Sequence, residues 1–419
     1  MFSQNGRISE KQMRRMLVLP LYASLVFVIP YLSAWLFGES IVPGLIVFFV
    51  FACIYVGCIY GLSAWVWKTG KIYGVSICDW ERQGAAGRNR KTGGSVKRTE
   101  PIGAVGRMLV LLQMLRLIVR LAFYVCLSIE VLGEGQVPFM PYNARGNVGS
   151  LWVVLPLLLT ALYGASKHIE KQGRIYELVF WPLYVPLVLV LIFGIWEVDF
   201  SVFLPKCNIS FGTLLLRGYL LLTFLLPVEN YVLLRPFLQK RPEEGKLRSK
   251  HTKKYIGAPS FFAVMGTVLL VCILTLFMLG IYGVQGAGSE EMLTVSIMRY
   301  IRLPLGFIER VDVLLVWFFM IGCFVLLGQT LYFSGMLLSV AFPKAKRGLL
   351  LVVVLAVAMV IVAFMPGYGS TLWLYRSYGA VMDLPLSLIL PLIGVLEIQS
   401  FHYKEKLNVK EGGNDNAVS

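Results

Sequence analysis

The sequence predicts an all-α membrane protein with ten transmembrane helices and both termini in the cytoplasm. Three observations predict it. Of the 419 residues, 57% are hydrophobic and only 15% charged, whereas a soluble domain sits near half apolar and a quarter charged. The apolar residues gather in ten windows, each near the length of about 20 residues that a helix needs to cross hydrocarbon. The basic residues between those windows fall alternately on one side and then the other.

The windows are 16–37, 41–67, 107–131, 150–166, 175–196, 210–234, 258–284, 311–342, 348–366 and 370–397. With the N-terminus inside, the cytoplasmic segments collect 30 of the 39 Lys and Arg residues and the opposite side six. A miscounted helix would scramble that alternation, so the count and the orientation support each other. The organisation that follows is a cytoplasmic N-terminus at 1–15, a ten-helix domain at 16–397 and a cytoplasmic, disordered tail at 398–419. Two basic cytoplasmic loops interrupt the domain, at 68–106 and 235–257. The first contains AAGRNRKTGGSVKR and reads either as a mobile loop touching anionic lipid or a partner, or as a solvated topology determinant.

Several function classes are excluded. The formal charge of +16 lies in short runs between apolar stretches, which suits insertion and anionic lipid headgroups and gives no nucleic-acid footprint. Seven Cys and three His show no metal-ligand spacing, so no metal site and no cofactor are expected. No His falls inside a span, and no other catalytic residue is apparent, so no enzyme is expected. The first apolar run is long and lacks a cleavage site, so it stays as a helix. The GYG at 367–369 follows no threonine-rich pore helix and is not a potassium filter.

Charges well inside spans usually face a bundle interior or a cavity. Arg116 and Arg120, four residues apart in the third span, share one helical face. Glu229 in the sixth span and Asp383 in the tenth sit at similar depth. Two cations and two anions at one level predict a neutralised internal network, either structural or lining a ligand site. Proline is the second signal. Pro20 and Pro30 fall in the first span and Pro227 in the sixth, which runs the opposite way. Interrupted helices at matching places in two halves point to an inverted repeat, although proline also bends membrane helices harmlessly.

Four stretches in order carry a family resemblance. They are ISEKQMRRMLVLPLYASLVFVIP, GASKHIEKQGRIYELVFWPLYVPLVLVLIF, VDFSVFLPKCNISFGTLLLRGYLLLTFLLPVEN and FIERVDVLLVWFFMIGCFVLLGQTLYF. Together the chain resembles the spore germination permeases, the membrane B subunits of germinant receptors within the amino acid–polyamine–organocation superfamily. The resemblance implies a five-plus-five inverted repeat with broken helices 1 and 6. It implies a site for a small germinant, an amino acid, among Ala23, Ser24, Phe27, Tyr124, Tyr219, Thr223 and Glu229. Ser24 would help hold a carboxylate, and Glu229 or Asp383 an ammonium. It also implies two partners, a large A-type subunit and a C-type lipoprotein, in the bacterial cell membrane or the inner membrane of the spore. A secondary transporter for amino acids, or one coupled to a cation, on the same fold is the alternative. The family's small pair in the first helix is here Ala23-Ser24, and the 84–100 insertion is longer than usual.

Overall fold

The computed structural model describes residues 8–69, 71–72, 75–76, 104–134, 151–204, 209–238, 258–289, 293–294, 311–343, 345–365, 367–394 and 396. Most of the two basic loops and all of the 398–419 tail lie outside these residues.

The described chain is nearly all helical. Helix α1 spans Glu10–Phe37, α2 Ile41–Thr69, α3 Ala104–Glu134, α4 Leu151–Ala165 and α5 Ile169–Gly194. A longer rod follows, made of α6 (Phe211–Leu221), a 3₁₀ segment (Leu222–Glu229) and α7 (Asn230–Leu234). Then come α8 (Ala258–Tyr282), α9 (Val284–Ser289), α10 (Val311–Ala341), α11 (Arg347–Phe364) and α12 (Tyr368–Tyr378). A π-helical turn, Gly379–Asp383, joins α12 to a last helix, α13, at 384–394. Two two-residue strands, Lys71–Ile72 and Val75–Ser76, pair antiparallel after α2. By length and apolar composition, seven stretches among the described residues can cross a membrane. The first of these, Glu10–Trp67, contains α1 and all but the last two residues of α2, separated by the 3₁₀ turn Gly38–Ser40. The 175–196 window falls in α5, which is not among the seven, and Val154–Ala165 is apolar but short.

Burial sorts the helices into a centre and a rim. From Met16 to Phe37, α1 is buried on every face except at Trp35, as expected of a helix ringed by others. It packs on α8, α5, α10 and the 3₁₀ segment, while α10 packs on α3 and α4. The rim is apolar but exposed, with Leu155 and Leu159 on α4, Leu178 and Trp181 on α5, and Leu349 and Val360 on α11. Apolar side chains facing outward around a buried centre suit lipid.

Local chemistry explains the motif at the start of α1. The Ser9 hydroxyl accepts the Gln12 N–H at 3.2 Å, and the Gln12 side chain accepts the Ser9 N–H at 3.0 Å. This is a capping box, and it satisfies backbone donors that the first helical turn leaves free. Ile8, fully buried, ties the same end to the rod, its N–H donating to the Phe237 carbonyl at 2.9 Å. Gly173 lets α5 close on α1, because an added Cβ would meet Gln12 atoms at 3.3 Å. Beyond α5, the Asp199 carboxylate accepts the Ser201 N–H at 2.9 Å and its hydroxyl at 2.8 Å. Those bonds hold its pKa below the usual carboxylate value, because they favour the charged form.

The broken first helix is corrected by the structure. α1 is a continuous 28-residue α-helix through Ala23–Phe27, and the sixth span tightens to a 3₁₀ segment without unwinding. The reason lies in where the freed carbonyls go. Proline has no N–H to return to the carbonyl four residues earlier. For Pro20 that carbonyl belongs to Met16, and it accepts the Gln329 side-chain amide at 2.5 Å. For Pro30 it belongs to Val26, which accepts the Thr294 hydroxyl at 2.6 Å. Within the 3₁₀ segment the missing partner of Pro227 is three residues back, at Phe224. Its carbonyl accepts the Ser24 hydroxyl at 3.3 Å. Side chains from neighbouring segments thus satisfy what proline leaves open, and the helices need no break.

Candidate functional site

Arg116 and Arg120 rise from one face of α3 between Glu229, the last residue of the 3₁₀ segment, and Asp383, the last of the π turn. Arg116 donates from Nη2 to Glu229 Oε2 at 2.9 Å and from Nε to Asp383 Oδ1 at 2.5 Å. Arg120 lies 2.8 Å from Glu229 Oε1 through Nη1 and 3.0 Å from Asp383 Oδ2 through Nη2. Each cation therefore bridges both anions. The side chains are 1%, 1%, 4% and 0% exposed, so a lone charge among them would be costly and the four together are neutral.

Second contacts fix the guanidinium of Arg116. Its Nη1 donates to Gln113 Oε1 at 2.6 Å, and Nη2 also donates to the Asp383 backbone carbonyl at 2.7 Å. Gln113 turns its amide to Glu229 at 3.4 Å. The π turn is what brings the Asp383 carboxylate and carbonyl to Arg116 together. The Leu384 N–H reaches back five residues to the Gly379 carbonyl, and π turns of this kind are frequent at functional sites. Pro385 follows, and the carbonyl five residues before it, Ala380, accepts the Tyr219 hydroxyl at 2.7 Å.

The 3₁₀ segment and the π turn press directly on each other. A Cβ added to Gly379 would lie 1.8 Å from Thr223 Cγ2, so only glycine fits there. Thr223 is fully buried, and its hydroxyl has no hydrogen-bond partner among the described residues; neither has the Arg120 Nε. Two buried donors therefore stand unused beside a balanced set of charges.

The sequence-predicted residues divide between two places. Ser24, Tyr219, Thr223 and Glu229 gather around the 3₁₀ segment, and Tyr124 is buried on α3, about one helical turn beyond Arg120. Ala23 and Phe27 turn to α10. The Phe27 ring lies 5.7 Å from that of Phe319, and a Cβ on Gly322 would meet it at 2.7 Å. These two residues fill a packed helix crossing, where the broken-helix expectation placed a ligand. Gln113, Gly379 and Ala380 were missed. Gln113 stands three residues before Arg116, on the same helical face, and that spacing could have found it. Gly379 carried no such signal, since its role depends on a residue 156 positions earlier. Among the described residues no group of three His, Cys, Asp or Glu could hold a metal ion.

No curated protein matches the chain. A family model described as "Spore germination protein" matches residues 107–366, more than half of the chain and including Arg116, Arg120 and Glu229. The chain is therefore a membrane protein that belongs to the spore germination permease family.

Proposed function

We propose that this chain is the membrane-spanning subunit of a spore germinant receptor and that it binds an amino acid at the Arg116–Arg120–Glu229–Asp383 cluster. The observation that carries this reading is the pair of unused donors, Arg120 Nε and Thr223 Oγ1, beside a charge-neutral set of four. A zwitterion matches such a set. Its carboxylate exchanges with an anion for the guanidinium groups, and its ammonium exchanges with a cation for Glu229 or Asp383. No net charge is then buried, and the two spare donors gain an acceptor.

Binding needs room between the 3₁₀ segment and the π turn. Both segments hold non-α hydrogen bonding, which makes them the places where the backbone changes at least cost. In the full reading the chain crosses ten times with both termini cytoplasmic, as two five-helix repeats. The basic asymmetry supports the orientation. The packing of α1 against the 3₁₀ segment supports the pairing of the two repeats' first helices. A large A-type subunit and a C-type lipoprotein complete the receptor and relay the signal.

The test uses the purified full-length chain in proteoliposomes with a panel of radiolabelled amino acids. Saturable binding at one site per chain, without accumulation in the lumen, supports a receptor. Saturable accumulation against a gradient makes the chain a transporter and overturns the receptor assignment. No binding by any amino acid overturns the site.

A further inference from the structure

A second feature lies apart from the charge cluster. Between α1, α5 and α8 the structure holds a cavity of about 340 Å³ whose lining includes none of the four charges. Its character changes along its length. Lys11, Arg14 and Arg15 stand at one end, and Val18, Gly266 and Leu270 continue along α1 and α8. From Lys11 to Val18, α1 rises about 10 Å. The cations occupy the polar margin of the membrane span, and the apolar lining runs inward from them.

The charge at the mouth is not balanced. Arg15 is 3.6 Å from Glu177 and stacks 4.8 Å above the Phe180 ring. Arg14 and Lys11 have no carboxylate within ion-pair distance among the described residues. The Arg14 Nε is buried without a hydrogen-bond partner among the described residues, and an unsatisfied guanidinium donor in a cavity beside a second cation favours an anion. The apolar end is open, because a Cβ added to Gly266 would meet nothing within 4 Å. Besides the three basic residues, only Thr267 and Tyr184 among the lining residues carry polar side chains. The Thr267 hydroxyl already donates to the Ala263 carbonyl at 2.9 Å.

We infer that this cavity binds an anionic phospholipid, its phosphate on Lys11 and Arg14 and an acyl chain along Val18, Gly266 and Leu270. Free phosphate would leave the apolar half unused. A peptide would bring more backbone groups than the Thr267 and Tyr184 hydroxyls could satisfy. A lipid matches both halves, and basic side chains at the membrane margin attract anionic headgroups. The inference does not depend on the germinant reading.

Native mass spectrometry of the full-length protein in detergent tests it, using phosphatidylglycerol and phosphatidylcholine with identical chains. The wild type should retain phosphatidylglycerol preferentially, and 10 mM glycerol phosphate, on the order of ordinary competitor levels, should not displace it. The double variant Lys11→Gln/Arg14→Gln should lower that retention roughly tenfold, toward the phosphatidylcholine level. Gly266→Leu keeps both cations and fills the groove, so it should reduce retention of phosphatidylglycerol even if the double variant fails to fold. Equal retention of the two lipids by the wild type overturns the inference. So does an unchanged preference in Gly266→Leu. Displacement by glycerol phosphate would show a plain anion site and overturn the lipid assignment.

Discussion

Arg116 is 1% exposed and spends its donors on Gln113, Glu229 and both the carboxylate and carbonyl of Asp383. Removing one partner from such a set leaves a buried charge uncompensated, at about 3–5 kcal/mol. Arg120→Leu alone and Asp383→Leu alone should each sharply reduce folded protein in membranes. The double variant should recover part of it, because Arg116 and Glu229 remain paired. Additive losses in the double variant, measured by fluorescence-detected gel filtration, would falsify the shared network. Gly379 tests the other contact at this scale. Gly379→Ala drives a methyl into Thr223 Cγ2 and should destabilise by about 1–3 kcal/mol. Thr223→Ser removes that methyl and keeps the hydroxyl, so it should restore most of the loss in a thermal melt. The four charges were legible in the sequence because charge inside an apolar window stands out whatever its surroundings. Gly379 was not, since a glycine is ordinary in membrane helices, and Gln113 is marked only by its spacing of three residues from Arg116.

At the scale of elements, the prolines explain both what was readable and what was not. Pro20, Pro30 and Pro227 correctly mark places where the helical ladder is open. Their effect was misread, because a freed carbonyl predicts a break only if nothing else reaches it. Gln329 and Thr294 do reach, from segments far along the chain, and no local pattern reveals that. This account predicts a specific coupling. Gln329→Leu leaves the Met16 carbonyl buried and unpaired, at about 1–3 kcal/mol. Pro20→Ala supplies a backbone N–H to that carbonyl, so the double variant should be more stable than Gln329→Leu alone. Thr294→Val with Pro30→Ala should behave in the same way. Equal stability of Gln329→Leu with and without Pro20→Ala would show that the amide is not filling the gap. The capping box at Ser9–Gln12, by contrast, needs no distant partner, since both residues lie within one turn.

For the whole molecule, composition and window length were enough to indicate a helical membrane protein, because lipid leaves the backbone few other options. The arrangement of spans is a harder matter, since α4 is short and α1 and α2 run together with only a 3₁₀ turn between them. Orientation can be tested directly. Single cysteines at Ser95 and Gly288, in a background without the native cysteines, should label from opposite sides of the membrane. Labelling of both from one side contradicts the ten-span topology. The central claim is that a balanced cluster of buried charge, with two unused donors, is a seat for a zwitterion. The most direct measurement is calorimetric titration of the purified wild type with whichever amino acid binds best. Its carboxamide and its decarboxylated amine should be titrated in parallel. The account predicts saturable binding of the amino acid and a loss of at least about a hundredfold for either analogue, since each leaves buried charge unmatched. Equal affinity for all three would contradict it.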